Sequence, residues 1–76
     1  MKNEKVLEFT DISSEQYREY EWIGGYTVRI NYPLKLNVSA SGGHRILDTR
    51  MVSHYIPSGW VHLYCVAKKG EDCFVK

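Results

Sequence analysis

No apolar run in this sequence approaches the ~18 residues that a membrane-spanning helix needs. No Cys-x-x-Cys pair, Gly-x-Ser-x-Gly elbow, P-loop or dinucleotide-binding glycine pattern occurs in it either. Those absences remove the motif-borne zinc, hydrolase and nucleotide chemistries. Cysteine is scarce, Cys65 and Cys73 being the two in the chain. The opening "MKNEKVLEF" has no signal-peptide h-region, so a soluble, cytoplasmic protein with reduced thiols is expected. The alternative for the thiols is a bridge across the last hairpin. A strong charge of one sign is missing too. The net charge is +1, less than a phosphate-tracking protein usually carries.

What remains is a chain of 76 residues, 43% hydrophobic and 25% charged, ordinary for one folded domain. The reading is a single small β domain over 1–76, with 1–10 as a flexible arm or edge strand. At this length roughly 60–65% of the unfolded surface can be buried, so the core is thin. Aromatics reach 13%, and six of the ten are tyrosines. Tyrosine suits such a core because its ring packs while its hydroxyl stays in water. The charges are unevenly placed. Residues 1–21 hold three cations against six carboxylates, and residues 22–76 seven against three, which reads as a solvated polar face with an acidic leading edge.

The hydrophobic period is two. In "YTVRI" Tyr26, Val28 and Ile30 alternate with Thr27 and Arg29. In "LKLNVSA" Leu34, Leu36, Val38 and Ala40 alternate with Lys35, Asn37 and Ser39. "MVSHYI" sets Val52, His54 and Ile56 opposite Met51, Ser53 and Tyr55. Each predicts a strand with one buried and one wet face. "WVHLYCVA" is apolar on both faces, which predicts the central spine of the sheet. Gly24-Gly25, Ser41-Gly42-Gly43 and "KKGED" are hairpin punctuation, and Pro33 and Pro57 fall at strand edges. "DISSEQYREYEWIGG" reads two ways. It is a short helix with Ser13 and Gln16 as a capping box, or one helical turn near 11–15 followed by a strand, which the pattern of Tyr20 and Trp22 favours. The fold class expected is all-β, a small antiparallel meander curled into an open barrel, with at most one short N-terminal helical turn.

His44, His54, His62, Cys65 and Cys73 are the candidate metal ligands beside the carboxylates. Structural zinc sites need close ligand pairs, and His62 and Cys65 fall on opposite faces of a strand, so no metal is expected. Ser53 and His54 are adjacent on a strand and point apart, and Cys65 sits among apolar residues, where a thiol is inert. Nucleophilic catalysis needs a nucleophile held beside a base. No enzyme activity and no cofactor are expected.

The aromatic residues are the richest signal. Trp60, His62 and Tyr64 share one face of "WVHLYCVA", and Tyr20, Trp22, Tyr32 and Tyr55 can join them across a curled sheet. Some of these rings line the core; others suit an interface, where Trp and Tyr dominate. The binding residues put forward are Tyr55, Trp60, Tyr64, Arg45 and Arg50. Among them Tyr55 is assigned to the surface and Trp60 to the core.

"HYIPSGWV" resembles the end of a Src-homology-3 domain, where a strand leads through Ile-Pro-Ser into a final strand. In that family the proline and aromatic help line a groove for proline-rich peptides, and by position these are Pro57 and Trp60. The opening aromatic motif of that family is missing, so the resemblance implies barrel geometry and not the peptide. Residues 37–76, with "SGGHR", "VSHYIP" and "GW", resemble small uncharacterised bacteriophage and prophage proteins. That resemblance implies an accessory protein that binds a host protein and blocks or redirects it. The function expected is therefore non-enzymatic binding of a host protein in the host cytoplasm. The alternative is a small nucleic-acid-binding barrel that uses Trp60, Tyr64 and the arginines.

Overall fold

The computed structural model describes residues 7–75, and the expectation for the first six residues lies outside them. Seven strands follow in order: β1 (Thr10–Asp11), β2 (Glu15–Glu21), β3 (Thr27–Asn31), β4 (Pro33–Val38), β5 (His44–Asp48), β6 (Ser53–Ile56) and β7 (His62–Ala67). All neighbours are antiparallel, in a four-stranded sheet β1-β4-β5-β6 and a three-stranded sheet β3-β2-β7. The chain is all-β.

The run from β3 into β4 joins the two sheets. β3 and β4 are separated by Tyr32 alone, held in the left-handed region at φ 49°. The Ile12 N–H donates to the Leu34 carbonyl at 2.9 Å and the Tyr32 N–H to that of Gln16 at 2.7 Å. These bonds carry the β1–β4 pairing on into the β2–β3 pairing. β5 and β6 then continue the meander from β4, while β7 returns to pair with β2. This is the connectivity of an open, Src-homology-3-like barrel.

The segment between β1 and β2 is a β-turn and not a helical turn. The Glu15 N–H closes it on the Ile12 carbonyl, and the Asp11 carboxylate accepts the Ser13 N–H at 2.8 Å. No helix follows this turn, so Ser13 caps none. Residues 17–21 instead gain strand partners on both sides, two ladders that a helix would forgo. Gly24 and Gly25, at φ 98° and 87°, supply the backbone that the following hairpin turn requires.

The spine is β2, which corrects the expectation for "WVHLYCVA". β7 is an edge strand, begins at His62 and is half-exposed along most of its length. The central position is missed because Glu15 and Arg18 hold buried places that apolar periodicity does not register. The core itself consists of Ile12, Tyr20, Ile30, Leu36, Ile46 and Ile56, with Trp22, Val28, Trp60 and Leu63 packed against it. The alternation holds for Ile30, Leu36 and Ile56 and fails at Val38 and Val52, which are exposed.

The thiol expectation is also corrected. Cys65 and Cys73 form a disulfide. The turn at 68–71, closed by the Glu71 N–H on the Lys68 carbonyl, brings the tail back beside β7 and sets the two cysteines within bridging distance at 6.5 Å between Cα atoms.

Candidate functional site

Four buried polar side chains run through the centre of the barrel. A register shift between Glu15 and Tyr17 turns Glu15 to the face that Arg18 and Tyr20 occupy. Glu15 is 1% exposed and Arg18 0%. The guanidinium donates to both carboxylate oxygens, at 2.8 and 2.7 Å, and to the Tyr20 hydroxyl at 3.1 Å. That hydroxyl lies 2.7 Å from His44 Nδ1 on the opposite sheet. Burial, followed by the Arg18 charge, pushes the His44 imidazole down to about 4. Burial pushes the Tyr20 phenol up. Tyr20 and His44 share this one hydrogen bond, its direction set by the imidazole tautomer, and every member of the chain has a partner. Trp60 closes over it, 4.7 Å from the His44 ring and 4.9 Å from that of Tyr20. Enclosed in this way, the network ties β2 to β5.

The five residues put forward from sequence fall in four places. Trp60 is turned inward, as just described. Arg45 and Tyr55 are cross-strand neighbours on the outer face of the four-stranded sheet, the guanidinium 5.8 Å from the ring. Arg45 donates to Asn37 Oδ1 at 2.7 Å, and Asn37 donates to the Glu8 carbonyl at 2.8 Å. The Tyr55 hydroxyl reaches Ser39 and Ser41, whose hydrogen bonds draw its pKa below the ordinary phenol value. Tyr64 stands on the outer face of the other sheet, stacked on His62 and edge-on to Tyr17. Arg29 covers Tyr17 at 3.9 Å and pairs with Glu19 at 2.8 Å. Arg50 projects from the β5–β6 turn. The set does not converge.

The concave feature is elsewhere. Trp22, Tyr26 and Val28 on the β2–β3 hairpin face His54, Tyr55, Ile56 and Pro57 across a groove of about 400 Å³. Tyr26 is 66% exposed and Tyr55 51%, while Trp22 stacks on Tyr20 and packs at a tilt against Tyr26. Pro57 lines the groove and Trp60 does not. Sequence reasoning placed Tyr26 on an inward face and passed it over. Its position just after the Gly-Gly turn, where a strand emerges from cover, was the available signal.

Asp48 organises the far end. Its Oδ1 accepts the Arg50 and Val52 N–H groups, and its Oδ2 lies 2.8 Å from His54 Nε2. The His54 bond, followed by those backbone donors, holds the Asp48 carboxyl below its ordinary range. Met51, at φ 65°, completes this turn. Among the described residues no three His, Cys, Asp or Glu side chains are grouped to hold a metal ion. No described helix is long and apolar enough to cross a membrane. No family model, curated protein or solved structure matches the chain.

Proposed function

We propose that this protein is a non-enzymatic binding module that takes a protein partner against the groove between Trp22, Tyr26, Val28 and Pro57. The observation that supports this reading is the exposed ring of Tyr26 on the rim of this largely apolar hollow. Exposed aromatic rings around an apolar hollow are the common form of an interface anchor. The resemblance of residues 37–76 to small phage proteins supports a host protein as the partner, which this module would block or redirect. The Cys65–Cys73 bridge bears on compartment, since such bridges persist in oxidising surroundings. In a host cytoplasm the pair would be held as thiols.

The outer face of β2, β3 and β7 gives the nucleic-acid alternative its best support, with Tyr17, Tyr64 and His62 as stacking rings. Glu19 and Glu21 stand among those rings and engage Arg29 and His62, which disfavours a phosphate backbone there. Capture from host lysate with the intact protein and with a Tyr26→Ala variant tests the proposal. A partner retained by the first and lost by the second, with little salt dependence, is the expected result. Tight, steeply salt-dependent binding of single-stranded DNA or RNA would overturn it.

A further inference from the structure

The groove is one end of a longer slot between two strand edges. β3 is paired on one side by β2, and β6 on one side by β5. Among the described residues no backbone hydrogen bond joins the outer edge of either strand to another segment. A second hollow of about 350 Å³, lined by residues 29–32 of the β3 side and by Asp48, Thr49 and Arg50, shares His54 with the groove. The Thr49 N–H, bonded to the Tyr32 carbonyl at 3.1 Å, pins the slot shut at that end. Tyr26 and Pro57 mark one end and Tyr32 and Thr49 the other, so the two walls run in opposite directions. Free N–H and C=O groups on a strand edge are a template for another strand.

We infer that the partner enters this slot as an extended segment, adding a strand between β3 and β6 and closing the barrel; this rests on the groove reading above. β3 is five residues long, so about five residues at ~3.3 Å each span it. Main-chain bonds to the two edges hold such a segment, and pockets for alternate side chains choose it. At the Trp22–Tyr26 end the slot takes an aromatic or branched apolar side chain. At the other end it takes a carboxylate. Arg29 is already engaged by Glu19 and Tyr17, whereas the Arg50 side chain is 79% exposed and its ion contact, Asp48, lies at 3.8 Å. Asp48 is occupied by two backbone N–H groups and His54, which leaves the Arg50 guanidinium donors for an acidic ligand.

A phage-displayed library of random seven-residue segments, selected on the full chain, tests this. The expected winners alternate β-branched residues and carry an aromatic near one end and an acidic residue near the other. A synthetic peptide of the winning sequence should lose at least tenfold in affinity when its alternate backbone amides are N-methylated. Arg50→Glu should reverse the acidic preference to a basic one. Winners that are proline-rich or basic, or that tolerate N-methylation, overturn strand addition. If they still fail on a Tyr26→Ala protein, the groove reading survives that loss. Winners indifferent to Tyr26→Ala, or no winners at all, overturn both.

Discussion

The hydroxyl of Tyr20 sits 2.7 Å from Nδ1 of His44, and that one bond joins the centre of the three-stranded sheet to β5 of the other. Tyr20 is fully buried and also accepts from Arg18. Replacing it with phenylalanine keeps the ring and strands two polar groups in the core. Tyr20→Phe should cost ~1–3 kcal/mol, read as a lower midpoint in urea. An unchanged midpoint would mean that the bond adds nothing to the joint.

Breaking the ion pair behind it should cost more. Glu15→Gln leaves the wholly buried Arg18 guanidinium without its bidentate partner, a change that typically costs ~3–5 kcal/mol. For a domain of this size that is much of the total stability. Changing both residues together, Glu15→Leu with Arg18→Met, should recover part of the loss, as removal of an entire buried pair often does.

His44 gives stability a pH dependence with a defined sign. Its folded value of about 4 lies below the ordinary 6.5, so between those values the unfolded chain binds more protons. Stability should be full above pH 6.5, fall as pH drops towards 4, and stop falling on this account below that. The slope cannot exceed about 1.4 kcal/mol per pH unit for one proton. Denaturation midpoints measured across that window check it, and His44→Asn should flatten the curve there. An equal slope in the variant would assign the effect to other groups.

Strand positions were legible in the sequence wherever period-two alternation met glycine punctuation, as at "YTVRI" with Gly24-Gly25 before it. The strand order was less so. Glu15 and Arg18 look like surface residues until the bulge beside them and the bidentate pair are known, and so β2 was not recognisable as the spine. Apolar β7 took that role on paper because partial burial at an edge and full burial at a centre require the same side chains. Tyr55 and Trp60 were assigned correctly, to surface and interior. The groove was missed because it lies between β3 and β6, strands far apart in the chain with no pairing to signal their approach.

The disulfide makes a direct chemical prediction. The intact protein should be two mass units lighter than the reduced chain and should take up no alkylating reagent until reduced. The loop it closes spans a sequence separation of eight. Reduction should therefore lower stability by ~2 kcal/mol, the low end of the usual range because short loops gain least. Immediate labelling of both thiols would contradict the pairing.

Trp60 and Tyr55 should respond oppositely to truncation. Trp60 packs on Tyr20, Trp22 and His44, so Trp60→Ala should cost ~3 kcal/mol and leave the protein largely unfolded. Tyr55 is an exposed ring on the outer face of β6, the strand that walls the groove, and Tyr55→Ala should keep stability within ~1 kcal/mol while weakening partner capture. Thermal melts run beside a capture assay separate the two outcomes.

A partner seated in the groove between β3 and β6, and not on the outer face of β2 and β7, touches Tyr26 and leaves Tyr64 free. A photo-crosslinking amino acid placed at Tyr26 in one preparation and at Tyr64 in another, each exposed to host lysate and irradiated, separates the two faces. Crosslinking to one discrete protein from position 26, with none from position 64, is the result expected. The same discrete product from position 64, with position 26 silent, would put the partner on the outer face instead.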